Sequence, residues 1–150
     1  NDLLKSAGFV QYEVSAYYLP SEESRHNLNY WRFGDYLGIG AGAHGKISRA
    51  NQVIRTTKNR MPKEYLQQSG GKTVIVEPNE LKLEFLLNAL RLTNGFELSL
   101  FKETTGLSPR LLDPFLDEAI SKGFLVRSKN QIVPKDKGRL FLNDLLTLVD

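Results

Sequence analysis

Glycines at 95, 106, 123 and 138 cut the Leu-rich stretch from 77 to 150 into segments too short for a long helix. Asn79 is placed to cap a first helix. In it Leu83, Leu86, Leu87 and Leu90 follow the i, i+3, i+4, i+7 rule, and Asn94-Gly95 supplies the stop. A short helix over 98–105 ends at Gly106. Ser108 before Pro109 reads as an N-cap with Pro at N1, and Leu112, Phe115, Leu116, Ala119 and Ile120 line one face up to Gly123. Two β-prone runs, 124–126 and 131–133, flank a Ser-Lys-Asn turn and predict a hairpin. A last helix is expected after Gly138, with Phe141, Leu145 and Leu148 on one face. Three helices followed by a two-stranded wing is a winged-helix order, so 78–150 is expected to be a mainly helical winged-helix-like domain.

The first half is built differently. Residues 1–45 hold five of the six tyrosines, the single Trp and both histidines, while 46–72 is polar and basic. Residues 3–7 can end a helix with Gly8 as its C′ residue, 9–14 alternates like a strand, and 20–24 reads as a loop. From Tyr36 a short apolar strand is expected to run into glycines 38, 40, 42 and 45, a density that allows positive φ and close backbone approach. Neither strand has a partner visible downstream. Residues 1–50 therefore read as the end of an α/β sheet or barrel, joined by a basic linker (51–77) to the domain at 78–150. The expected class is α+β. The chain opens on Asn1, its only Met is Met61, and its first residues read like the middle of a fold, so a piece of a larger protein is expected.

Composition narrows the chemistry. The 150 residues are 41% hydrophobic and 25% charged with a net charge of +3, ordinary values for a soluble globular chain. Cysteine is absent, which excludes disulfides, a cysteine nucleophile, thiolate zinc and any iron–sulfur cluster ligated by these residues. No run of ~18 apolar residues is present. No signal-peptide pattern is present either, and with zero Cys this points to the cytoplasm. Two histidines 18 residues apart make neither a catalytic triad nor a metal cluster.

The densest constellation is Arg25-His26-Asn27-Leu28-Asn29-Tyr30-Trp31-Arg32. On a helix, His26 and Tyr30 share a face, with Asn27 and Trp31 one step round. Such an imidazole can ligate haem iron, flat rings can stack on a macrocycle, and Arg25 and Arg32 can pair with propionates. The plainer alternative is a His and two aromatics packing a domain junction, and composition alone favours it. The glycine loop with His44 can offer backbone N–H groups to an anion or a cofactor carboxylate, or can be a tight turn beside a surface His. It lacks the helix and acidic residue of a dinucleotide fingerprint and has no Gly-Lys-Ser ending. From Tyr36 to Lys63 there is no acidic residue, while Lys46, Arg49, Arg55, Lys58, Arg60 and Lys63 are basic, which suits either a solvated loop or an anionic ligand. The winged-helix order raises a second reading, a nucleic-acid-binding module. Its would-be recognition helix carries Asp113, Asp117 and Glu118 against Arg110 and Lys122, a poor match to phosphates even beside a basic wing of Lys129, Lys135, Lys137 and Arg139. No DNA is expected as a partner.

Three motifs carry a resemblance: Ala7-Gly8-Phe9 with Tyr12-Glu13-Val14-Ser15; His26-Asn27-Leu28-Asn29-Tyr30-Trp31; and the run from Gly34 to His44. Together they resemble the oxygen-independent coproporphyrinogen III oxidase-like group of radical S-adenosylmethionine (radical-SAM) proteins. The His-Asn-x-x-Tyr-Trp motif resembles that of its haem-chaperone branch. Arg55-Thr56-Thr57, residues 62–66, Gly138 and Asn143 also fit. The resemblance implies that 1–50 is the end of a radical-SAM α/β barrel. It implies haem bound at His26, Asn27, Tyr30 and Trp31, with His26 on the iron, which turns the choice away from mere packing. It also implies Ile39, Gly40 and His44 near S-adenosylmethionine in a larger parent whose 4Fe-4S cluster has its ligands elsewhere. The expected partners are haem or porphyrin, the parent's N-terminal barrel and haem-accepting proteins, with no catalysis by this chain alone.

Incubated with ferrous iron and sulfide, the chain should take up no stoichiometric cluster and should release no 5′-deoxyadenosine from S-adenosylmethionine, as iron analysis and nucleoside chromatography would report.

Overall fold

A computed structural model describes residues 2–20, 22–49, 52–68 and 70–149. Ser21, in the expected 20–24 loop, and Ala50 and Asn51, at the expected boundary between the first two segments, lie outside the described residues. Helix α1 (Asp2–Ser6) leads into a hairpin of β1 (Val10–Glu13) and β2 (Ala16–Tyr18). Helix α2 (Arg25–Trp31) follows. Next comes an antiparallel meander of β3 (His44–Arg49), β4 (Gln52–Lys58) and β5 (Gly71–Ile75), with α3 (Pro62–Gln67) between the last two strands. The C-terminal part runs α4 (Pro78–Ala89), β6 (Phe96–Glu97), α5 (Leu98–Thr105) and a 3₁₀ turn (Pro109–Leu112) that enters α6 (Asp113–Ser121). It closes with β7 (Leu125–Ser128), β8 (Gln131–Pro134), α7 (Asp136–Leu140) and α8 (Leu142–Leu146). Strand β6 pairs with β8, so the order is β6-β8-β7. The architecture is mixed α/β. Among the described residues no helix is long and apolar enough to cross a membrane.

One apolar core joins the two halves. Phe33, from the loop after α2, and Val53 of β4 belong to the same buried cluster as Leu81, Phe85, Leu86, Phe96, Phe101, Leu116 and Leu145. Phe85 is its hub, meeting Phe33 at 5.7 Å, Phe96 at 5.1 Å and Phe101 at 5.0 Å between ring centroids, all edge-on. Such pairs add roughly 0.5–1.5 kcal/mol each beyond area burial.

Several sequence expectations change. Glu77 occupies the N-cap of α4 with Pro78 opening the helix, so Asn79 lies within the first turn. Proline is pre-organised for N1, and this moves the start back by two residues. The buried stripe of α4 is Leu81, Phe85, Leu86 and Ala89, continued by Leu90, whereas Leu83 and Leu87 are exposed. Two faces of this helix are leucine-bearing, and the core takes the one that carries Phe85. The expected strand at Tyr36 is a single bridge, Tyr36 to Lys46. Neither early strand is orphaned, because β1 pairs with β2 and bridges Leu92 through Glu13. Within 51–77, expected as linker, lie β4, α3 and β5.

The last helix also differs. Gly138 sits inside α7, and the chain breaks at Phe141 (φ −117°, ψ 45°) before α8. Phe141 is exposed and Leu145 is buried. A Cβ at Gly138 would lie 2.3 Å from the Phe124 carbonyl oxygen, so this glycine lets α7 press against the chain entering β7. Gly138→Ala should lower stability by about 1–3 kcal/mol through overpacking. The check is a urea titration, where the midpoint falls and the slope stays the same.

Candidate functional site

Helix α2 is closed at both ends by its own chain. The Ser24 side chain caps it by accepting from the Asn27 N–H at 3.3 Å. At the far end the Phe33 N–H bonds the Tyr30 carbonyl at 2.9 Å and the Gly34 N–H bonds the Asn29 carbonyl at 2.7 Å, the paired bonds of a Schellman motif. Its C′ position, usually glycine, is Phe33 at φ +56°, with its ring 2% exposed. A left-handed bulky residue costs roughly 1–3 kcal/mol and persists only where its surroundings over-determine it.

Lys46 supplies much of that constraint. Its ammonium, 1% exposed, donates to the Phe33 carbonyl at 2.8 Å, Asp35 Oδ1 at 3.0 Å and Ser48 Oγ at 3.0 Å, and lies 4.2 Å from the Phe33 ring centroid. All three ammonium hydrogens have acceptors. Burial pulls the Lys46 pKa below its ordinary value, against the opposing pull of Asp35. At Asp35, partial burial pushes the pKa up. The bonds from the Ser48 amide, Lys46 and the Ser48 hydroxyl outweigh it and hold the carboxyl below 3.8. The Lys46 backbone also exchanges two 2.9 Å bonds with Tyr36, so one residue fixes the 33–36 turn from both sides.

The two faces of α2 are used differently. On one, the His26 and Tyr30 rings meet at 4.8 Å and 82°, and Tyr30 meets Tyr36 at 4.5 Å and 60°. His26 is exposed and the tyrosines are half-buried. No hydrogen bond holds either His26 ring nitrogen among the described residues, so the imidazole is free to accept a metal. On the other face, Asn27 donates to the Tyr12 hydroxyl at 3.3 Å, and the Arg91 guanidinium covers the Trp31 ring at 4.3 Å. Arg91 in turn pairs with the buried Glu13 at 3.0 Å. Arg25 and Arg32 are exposed at the two ends of the helix, Arg32 on the rim of a 400 Å³ groove beside Leu92, Phe96 and Leu100.

Three amides of the glycine loop are bonded, two of them to residues outside it. The Gly40 N–H donates to the Tyr65 hydroxyl at 3.1 Å, the Gly42 N–H to the Asn59 carbonyl at 2.8 Å, and the Ala43 N–H to the Gly40 carbonyl at 3.2 Å. Ala43 closes a tight turn, and all three amides are taken rather than offered to an anion. A Cβ on Gly38 would fall 2.4 Å from the His44 carbonyl oxygen, which explains that glycine. Ile39 is 83% exposed, and His44 is exposed with its Nδ1 3.4 Å from Thr57 Oγ1. Among the described residues no group of three metal-binding side chains occurs. Arg55, expected as part of a basic stretch and of a run that fits the family resemblance, donates to the Tyr36 hydroxyl at 2.8 Å and pairs through Nε and Nη2 with Glu84. Cross-strand pairing of β4 with β3 brings Arg55 there, and the sequence carried no sign of that pairing.

The chain is similar to known proteins along nearly its whole length. Residues 76–141 match the family described as the HemN C-terminal domain. The chain is 43% identical over 150 residues to "Heme chaperone HemW" of Escherichia coli K12, covering 99% of this chain and 40% of that protein. It is 40% identical over 153 residues to the same-named protein of Haemophilus influenzae, covering 99% and 39%. A mitochondrial radical S-adenosyl methionine domain-containing protein of Dictyostelium discoideum is 31% identical over 172 residues, covering 95% and 38%. The chain thus spans about 40% of the length of the curated relatives it matches. The solved coproporphyrinogen III oxidase (HemN) of Escherichia coli, described as a radical SAM enzyme, superposes with a TM-score of 0.63 at 13% identity, covering 99% of this chain and 38% of that one. At that identity the likeness concerns the fold.

The buried pair generates an asymmetric expectation. Asp35→Ala strands an ammonium that is 1% exposed and should cost about 3–5 kcal/mol. Lys46→Met leaves a carboxylate that is 45% exposed and can be hydrated, so the cost should be the about 1–3 kcal/mol of unsatisfied partners such as the Phe33 carbonyl. Because the folded Asp35 pKa is lowered, its contribution is present above the ordinary carboxyl value and disappears as pH falls through the folded one. Urea titrations across acidic pH check both, with Asp35→Ala flattening the acid limb.

Proposed function

Since the chain belongs to the family of radical-SAM haem chaperones and oxygen-independent coproporphyrinogen III oxidase-like proteins, we propose that it supplies a haem-binding face, with the His26 imidazole as iron ligand. The observation that carries this reading is the exposed His26 ring, without a hydrogen bond at either nitrogen among the described residues and steadied edge-on by Tyr30 at 4.8 Å. Bound there, haem would supply an iron that accepts an imidazole nitrogen. The Tyr30 ring, at 82° to the imidazole, would offer an aromatic surface beside it. His44 is the competing ligand, and no aromatic contact supports its ring among the described residues. Asn27 and Trp31 then act through position, tying α2 to Tyr12 and Arg91.

The rest of the reading follows from the same family. Residues 1–50 correspond to the end of a radical-SAM barrel and 78–150 to a winged-helix-like domain. Helices α4, α5 and α6 before the β7–β8 hairpin, with β6 from between α4 and α5 joining its sheet, support the latter. Ile39, Gly40 and His44 lie towards S-adenosylmethionine in such a parent. This chain has no cysteine and does not fit a thiolate-held cluster. Its partners are haem or a porphyrin, the barrel and a haem-accepting protein in the cytoplasm. Nucleic acid is disfavoured by the acids of α6, Asp113, Asp117 and Glu118, and the cations Arg127 and Lys122 are already engaged by Asp113 and Glu118.

Haemin titration followed at the Soret band tests the assignment. His26→Ala should weaken binding by more than about tenfold and alter the spectrum, while His44→Ala leaves both unchanged. The reverse pattern transfers the ligand role to His44, and an unaltered His26→Ala ends the reading.

A further inference from the structure

We infer that Tyr36 is a third ring of the haem-binding face and that Arg55 is its positioning residue, acting through the Tyr36 hydroxyl. The inference rests on the haem reading of His26 and extends it to two residues outside the His-Asn-x-x-Tyr-Trp motif. The rings of His26, Tyr30 and Tyr36 form one continuous series, each in edge contact with the next at 4.8 and 4.5 Å. Both tyrosines remain partly open to solvent, so the series lines a surface rather than filling the core.

What holds the far end of the series is a charged tether. The Tyr36 hydroxyl accepts from Arg55 Nη1 at 2.8 Å, and the rest of the guanidinium is committed to Glu84 of α4. A hydrogen bond from an ionised donor is about twice as strong as a neutral one, and a guanidinium fixed at both ends has little freedom to follow the ring. A water-sized pocket of about 30 Å³ is lined by Tyr30, Tyr36 and Arg55 among others. Without the Arg55 donor the Tyr36 ring loses the bond that fixes its edge against Tyr30, and His26 and Tyr30 lose their backing.

The test is a haemin titration of the chain and of Tyr36→Phe, Arg55→Met, the double variant and His26→Ala, with circular dichroism to confirm folding. Tyr36→Phe and Arg55→Met should each weaken binding about two- to tenfold, the range of one aromatic contact, with the Soret maximum of the His26-ligated form unchanged. The double variant should bind no more weakly than either single one, because both break the same link. A merely structural Arg55 would lower the urea midpoint without that non-additivity. If Arg55→Met fails to fold, Tyr36→Phe alone carries the test, since it removes one oxygen and keeps the ring. The inference is overturned if Arg55→Met weakens binding equally in the Tyr36→Phe background. It is also overturned if Tyr36→Phe binds like the unmodified chain while His26→Ala does not. If His26→Ala binds normally, the haem reading itself has failed and this inference falls with it.

Discussion

A lysine ammonium withdrawn from water must find an acceptor for every hydrogen, and at Lys46 the three acceptors are the Phe33 carbonyl, Asp35 and Ser48. Satisfying them dictates the path of the chain from 33 to 48. The Phe33 carbonyl can reach the ammonium only if the chain turns sharply after α2, and the left-handed Phe33 makes that turn. The cost of that conformation is offset where the Phe33 ring enters the core against Phe85 and lies under the ammonium. A single buried charge therefore couples the end of a surface helix, a strand of the meander and the main core.

The candidate site inherits its rigidity from this arrangement. Tyr36 is paired to the Lys46 backbone, Tyr30 leans on Tyr36, and His26 leans on Tyr30. The opposite side of α2 is anchored by Asn27 to Tyr12 and by Trp31 under Arg91. Arg91 is held by Glu13, whose buried carboxylate also accepts from the Ser15 amide and hydroxyl. A helix of seven residues has little stability of its own, and tertiary contacts on both faces make it a defined platform. Preorganisation of this kind limits the ordering cost of taking up a ligand.

The shared core has a further consequence. Phe33 and Val53 are buried with the helices of the C-terminal part, and residues 91–93 continue the pairing of β1 through Glu13–Leu92 and the bond from the Thr93 N–H to the Tyr12 carbonyl. The platform therefore stands on the C-terminal helices, and a change near Phe85 reaches α2 through Phe33.

Much of the C-terminal part was legible because its signals are local. The α5 span with its Gly106 stop, the apolar face of α6 and the β7–β8 hairpin each follow from spacing and turn chemistry within about a dozen residues. The pairing of His26 with Tyr30 belongs to the same class, since i and i+4 meet on any helix. What the sequence could not settle was every feature that depends on a distant partner. It offered two leucine faces for α4, and the aromatic core chose between them. It showed a basic stretch at 36–63, and only strand pairing turned Lys46 into a buried clamp and Arg55 into the tether of Tyr36. Local periodicity determines which faces are apolar and where helices stop. Which polar groups are forced together is decided by tertiary burial, because only the folded chain removes the water that would otherwise satisfy each of them separately.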